Sequence, residues 1–406
     1  MVRDARPRLL ADLLGPTFPG HPDEEAFDIC PGLRYISSFT LVIQRGWLPG
    51  RSGEKGELDV GRAAWSRVTF ELPREWVFGS KFLIAGVDIG GTQCSVSLAE
   101  VSGAQFQLIA RRQFATKVKR GPEATLAEVE ERLAALLSDV ELPAVIGVSC
   151  GGPLDATNGV IQSPPNLPGW DDIAISSRFE KSFGRPCALE NDANASASAE
   201  WAFGAGRGCR DLVFLTFGTG LGAGLILNGS PYGGSGGLAG EVGHWRIGRA
   251  VGPARYGKSG SFEAFCSGNG IVEWYRELSG GDAVHDDLSA LVVADRARGG
   301  EPVATEVFAQ AADRLGRGVA LLVDALAPQA VVIGGIYVYA NDLLRDGAER
   351  ALLAEAHPQL VARCRVLPAE LGPLLGSYAS CCVALRSLVS RHRHAGDGNQ
   401  SAFVAS

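Results

Sequence analysis

Two stretches of this chain have the same layout, and together they constrain the fold more than any other feature. Each is an apolar run, a glycine turn and a second apolar run. The first reads Phe82-Leu83-Ile84-Ala85-Gly86-Val87-Asp88, turns at Gly90-Gly91-Thr92 and returns through Ser95-Val96-Ser97-Leu98-Ala99. The second reads Asp211-Leu212-Val213-Phe214-Leu215-Thr216, turns at Gly218-Thr219-Gly220 and returns through Gly222-Ala223-Gly224-Leu225-Ile226-Leu227. Apolar runs joined by a glycine turn read as hairpins. Helical and further strand patterns follow each hairpin. Leu126, Val129, Leu133 and Leu136 recur at three- and four-residue steps, so Thr125 to Leu137 reads as an amphipathic helix, with Thr125 and Glu128 as its capping box. Val145 to Val148 reads as a strand. A long helix is predicted over about Val303 to Leu326, then a strand Ala330 to Ile333 that ends at Gly334-Gly335. Two such units imply a duplicated α/β fold with a cleft between its halves.

Domain boundaries follow from where this pattern starts and stops. Residues 1–80 are rich in Pro, Gly, Arg and Trp and show no regular period. They are expected to be a poorly ordered extension, or a translation start set too far upstream, in preference to a partner-binding module. Removing them should then leave a soluble, active chain. Residues 81–189 are expected to form a small α/β domain. Residues 190–390 form a large one, whose last helix packs back on the small domain, and 391–406 a flexible polar tail.

With 46% hydrophobic residues, the 406-residue chain can build a full core. The net charge of −7 and the lack of a long basic run argue against nucleic-acid binding. Nine cysteines are scattered without a C-x-x-C pair, which suits reduced thiols in a cytoplasmic protein. No signal-peptide h-region and no run of about 18 apolar residues is seen, so no membrane contact is expected.

The turns point to chemistry. Glycines let the backbone approach an anion and aim N–H groups at phosphate oxygens. Gly90, Gly91 and Thr92 on one side, and Thr216, Gly218, Thr219 and Gly220 on the other, would grip a polyphosphate. Gly334 and Gly335 would pass close under a base or ribose. Asp88 is placed to hold a Mg²⁺ ion through water, because Mg²⁺ keeps its waters and takes few carboxylates. In Leu189-Glu190-Asn191-Asp192-Ala193-Asn194 an acid stands where a strand passes into a helix signal, at the ligand edge of an α/β sheet. Asp192 is therefore the candidate general base for phosphoryl transfer to a hydroxyl, and Asn191 a donor and acceptor for a second hydroxyl. Asn166 sits in a proline-stiffened loop, Ser163 to Trp170. Glu241 and His244 are one helical turn apart and are read as sugar-hydroxyl contacts.

These motifs resemble the ROK family of bacterial sugar kinases and repressors, within the actin-like ATPase superfamily. The resemblance rests on Asp88-Ile89-Gly90-Gly91-Thr92, Glu190-Asn191-Asp192-Ala193-Asn194, Phe217-Gly218-Thr219-Gly220-Leu221-Gly222 and Gly240-Glu241-Val242-Gly243-His244. It runs from about Phe82 to Leu388. It implies a two-domain actin-like ATPase (ribonuclease H-like) fold with ATP and sugar meeting in the interdomain cleft. Asp192 would be the base, and Asn166, Asn191, Asp192, Glu241, His244 and Glu263 would bind sugar hydroxyls. The phosphates would face the glycine turns, and the adenosine Gly334 and Gly335. The resemblance also implies a homodimer. Family members commonly hold a zinc ion with the His244 counterpart and three cysteines. Here those positions read Ala254, Tyr256 and Ser261, while Gly257, Gly260 and Glu263 survive. One imidazole cannot supply a structural zinc site, so no structural zinc is expected. The loop would instead be held by packing through Tyr256, Phe262 and Trp245. Residues 1–80 stand where family repressors carry a winged helix-turn-helix, but Pro7, Pro16, Pro19, Pro22 and Pro31 break that region. The expected activity is ATP- and Mg²⁺-dependent phosphorylation of a hexose, glucokinase-type at the 6-hydroxyl. The alternatives are a sugar-responsive regulator and a sugar-binding protein without turnover.

Overall fold

The computed structural model describes residues 69–280 and 288–396, so expectations for 1–68, 281–287 and 397–406 lie outside the described residues. The first sheet has six strands in the order β1-β4-β3-β2-β5-β8. They are β1 (Thr69–Glu71), β2 (Lys81–Ile89), β3 (Gln93–Ser102), β4 (Gln105–Ala115), β5 (Ile146–Cys150) and β8 (Cys187–Asn191). A small hairpin, β6 (Leu154–Asp155) and β7 (Val160–Ile161), stands apart. β2 and β3 are the first glycine hairpin, with Asp88 opposite Ser95. β2, β5 and β8 run parallel, which aligns Asp88 with Ser149 and Ser149 with Glu190 across three strands.

The second sheet has the order β11-β10-β9-β14-β15, from β9 (Leu212–Leu215), β10 (Ala223–Leu227), β11 (Ser230–Tyr232), β14 (Ala330–Ile333) and β15 (Arg365–Pro368). β9 and β10 form the second glycine hairpin, and β9, β14 and β15 run parallel. From β2 through β8, and from β9 through β15, the two sheets share one strand order and one pattern of directions. Each is an antiparallel hairpin extended by two parallel strands, so the duplication is a fact of topology.

Helices join and separate the two halves. α1 (Gly121–Leu137) covers the first sheet with Leu126, Val129 and Leu133 fully buried. It begins four residues earlier than the Thr125 capping box predicts. Pro122 occupies the first turn, the position where a missing N–H costs nothing. Thr125 is inside the helix, its hydroxyl bonded 3.0 Å to the Gly121 carbonyl, and Glu128 pairs with Arg120 and Arg132. α2 (Asp192–Phe203) and α3 (Leu375–Gly396) lie between the sheets. Every residue of α2 from Ala193 to Phe203 is buried, and its alternating alanines and serines let backbone approach backbone. A side chain at Gly147 would overlap Ser380 and Ala384 of α3, so a glycine there sets the spacing of helix and sheet. The segment Gly372–Arg391 has the length and apolarity of a membrane span, yet Tyr378, Ala379, Cys381, Cys382, Ala384 and Leu385 are buried in the core. α3 continues to Gly396, past the start predicted for a flexible tail at 391.

The ordered core also begins earlier than Lys81. β1 pairs with β4 at the sheet edge, and Leu72 and Trp76 are each 4% exposed. Phe70 packs on Phe203 and Tyr378, with ring centroids 5.3 and 5.5 Å apart, and Trp76 meets Trp201 edge-on at 5.5 Å. The segment lacks a long period because it is a three-residue strand and a single 3-10 turn, too short for any pattern to show.

Candidate active site

The ends of β2, β8 and β9 bring the predicted residues to one place. β8 ends at Asn191 and α2 starts at Asp192, so the acid is the first residue of a helix. Asn191 caps that helix: its Oδ1 accepts from the Ala193 and Asn194 N–H groups at 2.9 and 3.4 Å. The sequence reading gave Asn191 both a donor and an acceptor for a ligand. The structure spends the acceptor on the cap, and the amide Nδ2 lies 3.2 Å from the position a Gly152 Cβ would take. Asp192 Oδ1 accepts from the Ala193 N–H at 2.8 Å, and Oδ2 is turned toward Gly151. Water reaches Asp192, but the surrounding protein desolvates its carboxyl and raises its pKa, with the charge of Glu241 adding to the effect. Glu190, which the sequence reading left without a role, steadies the junction. It accepts from Asn194 Nδ2 at 3.2 Å and pairs with Arg386 of α3 at 3.1 Å.

Asp88 is the next-to-last residue of β2, just before the first turn. A side chain at Gly376 would overlap its Oδ2, so α3 closes over it. Burial raises its pKa to about 7, and the nearby Asp192 charge adds to this. Sequence reasoning missed two neighbours. The buried Ser149 hydroxyl stands opposite Asp88 in the sheet, and its hydrogen bond to the carboxylate partly offsets the effect of burial. Arg111 is held by Ser377 Oγ at 2.8 Å and Gln113 Oε1 at 2.6 Å, and its charge lowers the Asp88 pKa. Only a serine in register with the aspartate could have signalled the first, and strand pairing is not written in one sequence. Two carboxylates and a serine hydroxyl are oxygen donors of the kind a hydrated Mg²⁺ ion takes, so the residues fit that ion.

Each turn is packed against a neighbouring segment. At Gly91 a Cβ would stand 2.6 Å from the Asn166 carbonyl, so the exposed Asn166 loop lies against the first turn. In the second turn, Thr216 Oγ1 accepts from the Gly222 N–H at 2.9 Å and so closes the hairpin. Gly218, by contrast, has no atom closer than 3.6 Å to a built Cβ, and Thr219 is exposed. A side chain at Gly335 (φ 58°) would overlap the Phe217 carbonyl, which packs the third glycine pair against the second turn.

Glu241, His244 and Glu263 complete the site, with one shift from expectation. Val242 to His244 form a 3-10 turn rather than an α-helical one, and the imidazole still lies 3.8 Å from Glu241. Glu263 is tied to the second turn. Its Oε2 accepts from the Leu221 N–H at 2.9 Å and from the Tyr256 hydroxyl at 2.7 Å. Where the family's cysteines would stand, Ala254 and Tyr256 lie in a hairpin of β12 (Ala254–Arg255) and β13 (Lys258–Ser259), and Ser261 caps the short helix Phe262–Phe265. The Tyr256 ring stacks on His244 with centroids 3.5 Å apart. Among the described residues, no group of three or more His, Cys, Asp or Glu side chains converges on a metal-sized site.

Comparison with known proteins agrees with the geometry. A model of the ROK family matches residues 84–377. The chain is 31% identical over 303 residues to a glucokinase of Thermotoga maritima, covering 72% of this chain and 93% of that protein. A ROK hexokinase structure from Thermus thermophilus superposes with a TM-score of 0.63 at 30% identity, over 76% of this chain and 99% of the other. A ROK glucokinase from Streptomyces griseus, solved with glucose and AMPPNP, gives 0.62 at 28% identity, over 75% and 99%. The chain has the two-lobed actin-like ATPase fold and belongs to the ROK family.

Proposed function

We propose that this chain is an ATP-dependent hexose kinase of glucokinase type, acting on the 6-hydroxyl of glucose or a close relative. The observation that carries the reading is the place of Asp192. It stands at the start of α2, close enough to Asp88 and Glu241 for their charges to couple, where Gly222 at the end of the second turn faces Ala193. Its kinship with proteins named glucokinase, at about 30% identity over most of their length, supports the same activity.

In this reading Asp192 accepts the proton of the sugar hydroxyl as that oxygen attacks the γ-phosphorus of ATP, and ADP leaves. Asn166, Asn191, Glu241, His244 and Glu263 bind the remaining hydroxyls and fix which oxygen faces Asp192. The N–H groups of Gly91, Thr219 and Gly220 and the hydroxyl of Thr92 face the phosphates, while the Thr216 hydroxyl and the Gly90 and Gly218 N–H groups close their own turns. Gly334 and Gly335 leave room for the adenosine. Asp88 would hold Mg²⁺ through water, and the ion would supply neutralisation of phosphate charge. A homodimer in the cytoplasm is part of the proposal.

Asp192→Asn tests it. The variant keeps size and fold and loses the proton acceptor. Turnover over a panel of hexoses, followed by coupled ADP release, is expected to fall by roughly 10²-fold or more in kcat, with sugar KM nearly unchanged. Near-normal kcat would remove Asp192 from the mechanism.

A further inference from the structure

Tyr256 occupies a position that a tyrosine has reason to avoid. It and Gly257 are the two central residues of the β12–β13 hairpin, and both have positive φ, 55° and 71°. Such two-residue turns favour Asn or Gly at the first position, because a bulky residue with positive φ is strained by about 1 kcal/mol or more. What offsets the strain is visible in the contacts. One ring face is stacked on His244, and the hydroxyl donates to Glu263 Oε2 at 2.7 Å. The same Oε2 accepts from Leu221 N–H in the second glycine turn, and a Cβ at Gly220 would lie 2.8 Å from it. His244 in turn faces Glu241 at 3.8 Å. A chain of contacts therefore runs from Glu241 through His244, Tyr256 and Glu263 to Leu221. Three of its groups, Glu241, His244 and Glu263, are proposed sugar ligands, and Tyr256 touches two of them, His244 and Glu263, on separate segments.

We propose that Tyr256 is a positioning residue for sugar binding: it holds the His244 imidazole by stacking and the Glu263 carboxylate by its hydroxyl, in the stretch of chain where family relatives use a metal. This rests on the kinase reading above. A carboxylate that loses a charge-assisted hydrogen bond can rotate away, and a sugar hydroxyl must then reorder it on binding.

The test uses the full-length chain with Tyr256→Phe, Tyr256→Ala, Glu263→Gln and the double variant Tyr256→Phe/Glu263→Gln. Sugar KM, ATP KM, kcat and Tm are measured for each. Tyr256→Phe keeps the stack and loses the hydroxyl, so sugar KM should rise about tenfold with ATP KM and kcat within about threefold. Tyr256→Ala loses both contacts, and sugar KM should rise about 100-fold. In the double variant, the Phe change should add less than threefold to the effect of Glu263→Gln, because the bond is already weakened. Sugar KM within twofold of wild type in both Phe and Ala variants would overturn the proposal. So would effects of Tyr256→Phe and Glu263→Gln that multiply independently, or a rise in ATP KM equal to that in sugar KM. If wild type turns over no sugar, the kinase reading has failed on its own. Calorimetric sugar affinity of the same variants then decides the role of Tyr256, with the same fold-changes expected and the same results against it.

Discussion

Residues before the first motif belong to the packed core, and this can be tested at Trp76. Its side chain is 4% exposed, packed edge-on against Trp201 of α2, and it follows a strand that seals the edge of the first sheet. Trp76→Ala removes a buried indole from a site where Leu72, Phe70 and Trp201 meet. Such a truncation costs about 3–5 kcal/mol, the cavity included. Unfolding entropy near 2.1 cal/mol/K per residue gives a chain of 406 residues roughly 0.7–0.9 kcal/mol/K, so each kcal/mol moves Tm by a little over 1 °C. Tm should fall by about 4–7 °C. Deletion says the same more strongly. Removing 1–80 discards Phe70, Leu72 and Trp76 together and bares the β4 edge and the faces of Phe203 and Tyr378. That is about 6–11 kcal/mol, comparable with the whole stability of a domain, and an open strand edge invites association. A chain starting at Thr69 keeps all of it. Differential scanning fluorimetry and soluble yield compare the two deletions. The 69–406 chain should stay soluble, and the 81–406 chain should aggregate. Equal melting temperatures for the two, or a Tm for Trp76→Ala within 1 °C of wild type, would refute the packing argument.

Other consequences follow from the site and the core. Asp88 has a folded pKa of about 7 against an unfolded value of 3.8, so its contribution favours the folded state below about pH 4 and is lost as pH rises through 7. Asp88→Asn, which cannot ionise, should therefore melt higher than wild type at pH 8 without metal, by about 1–2 kcal/mol after allowing for partial contact with water, and match it at pH 4; a lower Tm at pH 8 would contradict the burial of that charge. The same residue should give kcat/KM for ATP a rising limb with midpoint near pH 7, absent from the variant's profile. Glu200, fully buried in α2, accepts backbone N–H groups of Ala205 at 2.8 Å, Glu370 at 3.1 Å and Leu371 at 3.0 Å. Glu200→Ala strands those donors and should cost about 3–5 kcal/mol in urea unfolding; a midpoint unchanged from wild type would show that the clasp contributes nothing. Ala254, Tyr256 and Ser261 leave His244 without thiolate partners, so EDTA should leave Tm unchanged while stopping turnover for want of Mg²⁺; one zinc per chain by elemental analysis would overturn this.

How much of this was legible beforehand depends on the range of the signal. Both glycine hairpins, the long helix Pro302–Leu326 and the strand Ala330–Ile333 stand where periodicity and turn residues put them, because those signals are local and the segments are long. The acid at a strand-to-helix junction was equally readable, since Asn191 and Asp192 sit between an apolar run and an alanine-rich one. The Thr125 capping box failed because Pro122 starts the helix a turn earlier and tertiary contacts with Thr116 and Arg120 use the Thr125 and Glu128 side chains instead.

What the chain alone determined is therefore its duplicated α/β plan, its family and the cast of polar residues at its turns. Tertiary structure decided which atoms of that cast are taken up by the protein itself. Asn191 lost its carbonyl oxygen to a helix cap, Thr216 gave its hydroxyl to its own hairpin, and Glu263 became tied to Leu221 and Tyr256. It also decided that Ser149 and Arg111 flank Asp88, and that residues 69–80 belong to the core. These are pairings between residues from 2 to more than 260 positions apart. A sequence states which donors and acceptors exist, but the competition among them for partners is settled only when packing brings the segments within 3 Å of one another.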